Sequence, residues 1–271
     1  MELTINQQRV YAYTGGKAFD HHLPTAVFIH GAQNDHSVWI LQTRYFAHHG
    51  FSVLAVDLPG HGRSAGGALT SVEAMADWLN QVLDAAKVER AILIGHSMGS
   101  LIALEAAARR SDRVKGLALV GTAYPMHVSP ALLETARERE PVAIDMVNIW
   151  SHSSIAQKPS APGPGFYVHG GSRRLMQRIS ELNPAQVFYT DFAACNAYAN
   201  GAQAAAALDC PALFLLGRQD VMTPAKAAST LASSMKRART LTLDACGHSL
   251  MAEQPDQVLD QLFAFSLSAL K

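Results

Sequence analysis

A serine between two glycines is the residue of this sequence best placed to carry out a reaction. The motif Gly95-His96-Ser97-Met98-Gly99 follows the apolar run 91–94 and precedes the helix-forming run 100–105. A G-x-S-x-G motif between a buried strand and a helix predicts a nucleophile elbow, a tight turn that lifts the serine hydroxyl above the sheet. The glycines let strand and helix pack closely, and the helix N-terminus favours the negative charge that develops during attack. Ser97 is therefore the predicted nucleophile.

A base and an acid follow Ser97 along the chain. A serine hydroxyl attacks well only when a base removes its proton and a third group orients that base. Asp220 comes after the apolar run 212–216, and His248 comes after the run 240–243. Because the carboxyl ends of parallel strands share one edge of a sheet, we expect Ser97, His248 and Asp220 to converge there as a catalytic triad.

Each member of this triad also has a simpler interpretation. The glycine-flanked serine could be a chance pairing at a strand end, and His248 could be an ordinary loop residue. Asp220 could only cap a helix that begins near Thr223. Asp244 is a second carboxylate close to His248 and is the rival for the triad acid. The joint presence of all three residues in the required order favours the triad with Asp220 as its acid.

Acyl transfer also needs two N–H donors that hold the oxyanion. One is predicted at Met98, the residue after the nucleophile. The other is expected from the loop after the apolar run 26–29, where the sequence reads His30-Gly31-Ala32, and we assign it to Ala32.

The elements that must position these residues alternate between strands and helices. Apolar runs typical of buried parallel strands occupy residues 26–29, 53–56, 91–94, 117–120 and 212–216. Helical patterns cover residues 72–86 and, approximately, 37–48, 98–109, 224–235 and 255–267. Thr70 and Glu73 offer a capping box before the first of these, and residues 3–5 and 9–13 predict an edge hairpin. The alternation indicates an α/β fold with a mainly parallel sheet.

The alternation stops between residues 123 and 189. This region has no apolar strand run and contains a Pro- and Gly-rich stretch at 159–165. We expect a helical cap or lid over one end of the sheet, with the core formed by residues 1–122 and 190–271. Its apolar side chains need a surface to pack on, so Met126, Trp150 and Tyr167 are candidate substrate-binding residues.

Taken together, these motifs resemble those of the α/β-hydrolase superfamily, and the resemblance covers essentially the whole chain. The further matching segments are His30-Gly31 with Trp39, residues 57–64, residues 217–220 with Thr223-Pro224, and Gly247-His248 with residues 253–255. The resemblance implies an eight-stranded, mostly parallel sheet with a cap inserted after the sixth strand. Some relatives take the triad acid from the end of that sixth strand. Here the position reads Gly121-Thr122-Ala123, without a carboxylate, which leaves Asp220.

The function expected from these residues is that of a serine hydrolase. It would cleave a small or medium ester, thioester or lactone through an acyl-enzyme and would need no cofactor. Related dehalogenases and epoxide hydrolases use an aspartate at the elbow, so Ser97 argues against both. Three alternatives stay open: hydrolysis of a carbon–carbon bond in a vinylogous diketone, a lyase reaction like that of hydroxynitrile lyases, and ligand sensing by a receptor that resembles hydrolases.

Composition argues against several other classes. Lys plus Arg and Asp plus Glu both total 22, so no net charge attracts nucleic acid or an anionic membrane. The sequence shows no leader-like start and no apolar run of about 18 residues, and its three cysteines are an odd number. We therefore expect a cytoplasmic protein, a monomer or homodimer, that binds a small-molecule substrate and no membrane.

Two further patterns have unremarkable interpretations. The glycines of Gly60-x-Gly62-x-x-Ala65 fit a dinucleotide fingerprint formally, but no helix is predicted before residue 70. We interpret this run as a turn in a loop that Asp57 caps or braces. The histidine pairs at 21–22 and 48–49 are adjacent and not one helical turn apart, so no metal site is expected from them.

Overall fold

A computed structural model describes residues 1–154 and 167–271 of the chain. Its centre is an eight-stranded sheet with the order β1-β2-β4-β3-β5-β6-β7-β8. The strands are β1 (Glu2–Ile5), β2 (Gln8–Tyr13), β3 (Thr25–Ile29), β4 (Ser52–Val56), β5 (Ala91–His96), β6 (Val114–Val120), β7 (Ala212–Gly217) and β8 (Ala238–Leu243). The first two strands pair antiparallel and β2 meets β4 antiparallel, whereas β3 to β8 run parallel. The predicted strands, the edge hairpin and the α/β class are confirmed.

Helices cover both faces of this sheet. They are α1 (Ile40–His48), α2 (Val72–Ala85), α3 (Met98–Arg109), α4 (Pro130–Glu138), α5 (Glu140–Trp150), α6 (Val168–Leu182), α7 (Val187–Ala197), α8 (Gly201–Ala206), α9 (Ser229–Ser234), α10 (Leu250–Glu253) and α11 (Pro255–Ala269). None of the helices in the described part of the chain is long and apolar enough to cross a membrane.

Alternate side chains of the buried strands serve two separate core layers. Val27 and Ile29 pack in the layer that contains side chains of α2 and α3. Ala26 and Phe28 point the other way, into the layer that contains Phe46 of α1 and residues of α11. Because a parallel strand in this position is covered on both faces, it must be apolar throughout, which is why the short runs could be recognised in the sequence.

Two local expectations about helices need correction. The side chain that caps α2 is that of Ser71, which accepts a hydrogen bond from the N–H of Ala74 at 3.2 Å, and not that of Thr70. The helix begins one residue later than the Thr70–Glu73 pattern implied. The helix predicted at about 224–235 is a short 3-10 turn (Ala225–Ala228) followed by α9.

The segment between β6 and β7 contains α4 to α8 and, among its described residues, no strand. Helices α4 to α7 form an apolar cluster of their own, which includes Leu132, Ile144, Met176, Phe188 and Phe192. The division of the chain into a core and a cap at residues 123 and 189 stays a prediction. The Pro- and Gly-rich stretch 159–165 lies outside the described residues.

Candidate active site

The turn at Ser97 joins β5 directly to α3. Ser97 has φ +51° and ψ −121°, a conformation that side-chain-bearing residues rarely adopt. A Cβ at Gly95 would collide with the carbonyl of Gly99, and one at Gly99 would collide with the carbonyls of Ile29 and His30. The two glycines are therefore needed for strand, turn and helix to pack this closely, as the motif predicts. The turn places Ser97 at the carboxyl end of β5.

His248 and Asp220 are hydrogen-bonded to each other at the same edge of the sheet. Asp220 Oδ2 accepts from His248 Nδ1 at 2.8 Å. Asp220 Oδ1 accepts from the N–H groups of Met222 and Thr223 at 2.9 and 2.8 Å. Asp220 thus caps the turn that follows it and also holds the histidine, so the two interpretations of this residue describe one arrangement. Its carboxylate fixes Nδ1 as the protonated ring nitrogen and leaves Nε2 available as a base.

Asp220 stays ionised although it is buried. Burial is the largest single influence and opposes ionisation. The charge of His248 and the hydrogen bonds from His248 and Thr223 together outweigh it and lower the pKa of the carboxyl below its usual value. Thr223 is a partner that sequence reasoning missed: its Oγ1 lies 2.7 Å from Asp220 Oδ2 and 3.0 Å from both the Gly121 carbonyl oxygen and His248 Nδ1.

Asp244 points away from this arrangement. Its side chain is 79% exposed and forms an ion pair with Arg218. The structure therefore brings Asp220, and not Asp244, to His248.

His96 fixes the loop that carries His248. Its Nε2 donates to the carbonyl oxygen of His248 at 2.8 Å. Burial, together with the charge of His248, lowers the pKa of His96 to about 3, so the ring is neutral at physiological pH. The motif identified His96 only as the variable residue before the serine, and nothing in the spacing pointed to a partner 152 residues away.

The loop after β3 passes directly over Ser97. A Cβ at Gly31 would lie 3.1 Å from Ser97 Cβ and 3.0 Å from His96 Nδ1. Ala32 follows and lines the same cavities as Ser97. Met98 is the first residue of α3, where helix geometry leaves the N–H without an intrahelical acceptor. Of the two residues predicted as oxyanion donors, Met98 follows the serine directly and Ala32 lines the same cavities as the serine.

Comparison with known proteins agrees with this geometry. A profile described as the alpha/beta hydrolase family matches residues 26–261 of the chain. The chain belongs to the α/β hydrolase family. It is a hydrolase, with the eight-stranded, mostly parallel sheet that the sequence resemblance implied.

One relative and two solved structures match this hydrolase over most of both chains. It is 26% identical over 242 residues to (E)-2-((N-methylformamido)methylene)succinate hydrolase of Acinetobacter baylyi, which covers 86% of both chains. A thermophilic esterase from Thermogutta terrifontis superposes with a TM-score of 0.81 at 21% identity, covering 99% of this chain and 98% of the other. The enol-lactonase from Burkholderia xenovorans LB400 superposes with a TM-score of 0.78 at 23% identity, covering 98% and 99%. The two structural matches show a shared fold.

Two cavities of the hydrolase meet at Ser97. The larger has a volume of about 500 Å³ and the smaller of about 390 Å³. Five residues line both of them: Ala32, Ser97, Phe192, Met222 and His248. Their other walls are mostly apolar and include Leu41, Val147, Leu175 and Met251 in the larger cavity, and Val128, Leu132 and Val221 in the smaller. The serine and the histidine therefore face a shared, largely apolar space.

The three residues proposed from the sequence for the cap differ in their positions. Met126 and Trp150 line the smaller cavity. Tyr167 is 53% exposed. It is not among the described residues that line the two cavities. Its hydroxyl lies 3.4 Å from His169 Nδ1. The prediction for Tyr167 came from the expectation that apolar side chains of residues 123–189 pack over the sheet edge, which does not show in which direction a helix-end residue points.

The loop after β4 is braced by Asp57, as the sequence indicated. The buried carboxylate accepts from the N–H groups of His36 and Arg63, each at 2.8 Å. Gly62 has φ +50°, and a Cβ there would collide with this carboxylate. The glycines of this run form a turn closed on Asp57, and the run is not followed by a helix until Val72.

Within the described ranges, Asp35, His36 and Asp57 bring metal-ligand atoms within 4.8 Å of one another. These atoms already serve the protein. The side chain of Asp35 accepts from the N–H of Ser37 at 2.8 Å, and His36 Nδ1 lies 2.8 Å from Asp57 Oδ1. The cluster braces neighbouring loops.

Proposed function

We propose that this hydrolase cleaves a small or medium ester, thioester or lactone by forming an acyl-enzyme at Ser97. The observation that carries the proposal is the 2.8 Å bond between Asp220 and His248, whose ring faces the same apolar cavities as Ser97. A buried imidazole held in one tautomer by a carboxylate is the arrangement that activates a serine hydroxyl.

In the first step, Ser97 Oγ attacks the carbonyl carbon of the substrate while His248 Nε2 takes the hydroxyl proton. The negative charge that forms on the carbonyl oxygen is held by the N–H groups of Ala32 and Met98. The tetrahedral intermediate then collapses: the bond to the leaving group breaks, and His248 returns the proton to the departing alcohol, thiol or ring oxygen. Asp220 stabilises the imidazolium that exists between these two transfers.

In the second step, water takes the place of the serine as nucleophile. His248 accepts a proton from the water, which attacks the acyl carbon, and the same N–H groups hold the second oxyanion. Collapse releases the acid and returns the proton to Ser97 Oγ. The net reaction consumes one water and one substrate molecule and leaves the enzyme unchanged.

The shape of the space around the serine supports the proposed substrate class. Two largely apolar cavities meet at Ser97 and share Phe192 and Met222 as walls. A scissile bond placed at the serine would have an apolar group on each side, which suits the acyl and leaving-group halves of a neutral ester.

A substrate screen tests the proposal. Purified protein is assayed with straight-chain p-nitrophenyl esters, acyl thioesters, a lactone series and a vinylogous diketone, with Ser97→Ala as the control. We expect turnover of at least one ester, thioester or lactone that Ser97→Ala loses. Turnover of the diketone alone would replace the ester proposal with carbon–carbon bond hydrolysis. Equal turnover by Ser97→Ala would remove the serine mechanism.

A further inference from the structure

A buried carboxylate of α7 ties down the backbone beside the predicted oxyanion donor. Gln33 follows Ala32 and has φ +55°, in the left-handed region that non-glycine residues seldom occupy. Its N–H donates to Asp191 Oδ2 at 2.8 Å. Its side-chain Nε2 donates to the carbonyl oxygen of Met176 at 3.0 Å and to Ser180 Oγ at 2.7 Å, both in α6. The conformation of the loop over Ser97 therefore depends on helices inserted between β6 and β7.

His61 is the second partner of the same carboxylate oxygen. Its Nε2 lies 2.9 Å from Asp191 Oδ2, and its Nδ1 lies 3.0 Å from the carbonyl oxygen of Pro59. Both ring nitrogens thus face acceptors, an arrangement that requires a proton on each of them and makes the ring an imidazolium. Both side chains are at most 1% exposed. His61 and Asp191 form a buried ion pair, and the pair keeps its positive charge only while both ring nitrogens of His61 carry a proton.

The electrostatic surroundings favour that proton. Burial is the largest single influence and opposes it, but the charge of Asp191, the hydrogen bonds to Asp191 and Pro59, and the charge of Asp57 together raise the pKa of His61. His30, at the end of β3, packs against His61 with ring centroids 4.9 Å apart. Burial and the charge of His61 lower the pKa of His30 to about 3, so His30 is neutral.

The other titratable groups that face this pair are His30, Cys195 and Asp57. His30 is locked as a neutral tautomer: Nδ1 donates to the Gly31 carbonyl oxygen at 2.8 Å, and Nε2 accepts from the N–H of Leu58 at 3.1 Å. Burial raises the pKa of Cys195, which lies in α7 with Asp191, and keeps it a neutral thiol. Asp57 is braced by the backbone N–H groups of His36 and Arg63. Among these groups, His61 is the one whose ring lies within hydrogen-bond distance of Asp191.

We propose that Asp191 and protonated His61 position the loop of Ala32 and Gln33, so that the Ala32 N–H reaches the oxyanion only while His61 keeps its proton. Asp191 is a positioning residue, since it acts through Gln33 and touches no reacting atom. This inference rests on the proposed acyl-enzyme function. Loss of the His61 proton removes the positive charge that faces the buried Asp191 carboxylate, and such a site rearranges because an unpaired buried charge is costly.

The sign of the pH effect follows from the direction of the pKa shift. A histidine whose pKa is raised on folding contributes its stabilisation at low pH and loses it as pH rises through the folded-state pKa. The turnover rate should accordingly fall at alkaline pH, where His61 loses its proton and releases the loop. The alkaline fall should appear in kcat more than in KM, because the oxyanion exists only after attack.

His61→Gln and Asp191→Asn test the proposal, with Asp145→Asn as the matched control. Asp145 lies in α5 and pairs with Arg173 at the surface, so its substitution removes a carboxylate of the same insertion without touching the loop. We expect Asp191→Asn to lower kcat by about tenfold to 100-fold, less than the loss of an oxyanion donor outright, with KM within about twofold. The His61→Gln side chain can still donate to Asp191 but does not titrate. Its kcat should be low at neutral pH and level through the range in which the wild-type rate falls.

NMR titration of the His61 ring in the wild-type protein gives the third measurement, and its midpoint should coincide with the alkaline midpoint of kcat. A His61→Gln profile that superimposes on the wild type, or a wild-type rate that stays constant while His61 loses its proton, would overturn the positioning role. If near-UV circular dichroism shows that Asp191→Asn does not fold, the pH profile of His61→Gln and the comparison of the wild-type rate with the His61 titration still test the positioning role. Phosphonate labelling of Ser97 at neutral pH tests the proposed function separately. If Ser97 is labelled but the pH profile of His61→Gln matches that of the wild type, only the positioning role is overturned and the acyl-enzyme proposal stands.

Discussion

Replacement of Asp220 by Asn should leave the fold intact and remove most of the turnover. Asn keeps one carbonyl oxygen, which can still accept from the N–H groups of Met222 and Thr223 at 2.9 and 2.8 Å. The position now 2.8 Å from His248 Nδ1 becomes an NH2 group, which can only donate. The ring must then turn its Nδ1 lone pair toward the amide and place its proton on Nε2, the nitrogen that has to accept the serine proton.

The expected loss is large because both the tautomer and the charge of the imidazolium are affected. The equivalent change in serine proteases lowers kcat by about 10⁴-fold. This corresponds to about 5.5 kcal/mol of activation free energy at 1.36 kcal/mol per factor of ten. The assay is kcat at saturating ester, with near-UV circular dichroism as the check on folding.

Asp244→Asn is the control, since it removes a carboxylate from the same stretch of sequence without touching His248. Its side chain is 79% exposed and pairs only with Arg218 among the described residues, so kcat should change by less than about twofold. If Asp220→Asn keeps more than about a tenth of the wild-type kcat, Asp220 is a turn cap and not the orienting acid.

Three further expectations concern the turn, the smaller cavity and pH. Gly95→Ala should lower the free energy of unfolding, measured in urea, by about 3 kcal/mol or more, because the added methyl would collide with the backbone carbonyl of Gly99. A loss below about 1 kcal/mol would contradict the close packing of the elbow. Met126→Ala and Trp150→Ala should shift the preferred ester chain length toward longer substrates relative to Ile149→Ala, whose side chain is 54% exposed; equal loss on all esters together with a lower Tm would mark both as packing residues. The pKa of Asp220 is lowered on folding, so its contribution to stability is present above the unfolded-state pKa and is lost as pH falls through the folded-state value. The free energies of unfolding of wild type and Asp220→Asn should therefore converge in acid. Curves of unfolding free energy against pH that stay parallel would contradict this.

The strands and the turn at Ser97 were predictable because their signals are local. A strand buried on both faces must be apolar along its whole length, and the elbow needs glycine at two positions where no side chain fits. The absence of a carboxylate at residues 121–123 also directed the choice of acid to Asp220.

The supporting contacts were not predictable in the same way. Gln33 meets Asp191 across 158 residues, and His61 meets it across 130. Nothing in the sequence around any of these residues marks it, because the partners come together only in the folded structure. The position of Tyr167 was missed for a similar reason: the orientation of a helix-end side chain is set by packing and not by its type.

The central claim, that His248 and Asp220 activate Ser97 as a nucleophile, is tested most directly by intact-mass analysis after incubation with a fluorophosphonate. Attack by Ser97 Oγ on phosphorus releases fluoride and leaves one phosphonyl group on the protein. We predict a single adduct on the wild type and none on Ser97→Ala at the same concentration and time. A folded wild-type protein that stays unlabelled, or a Ser97→Ala variant labelled to the same extent, would contradict the account.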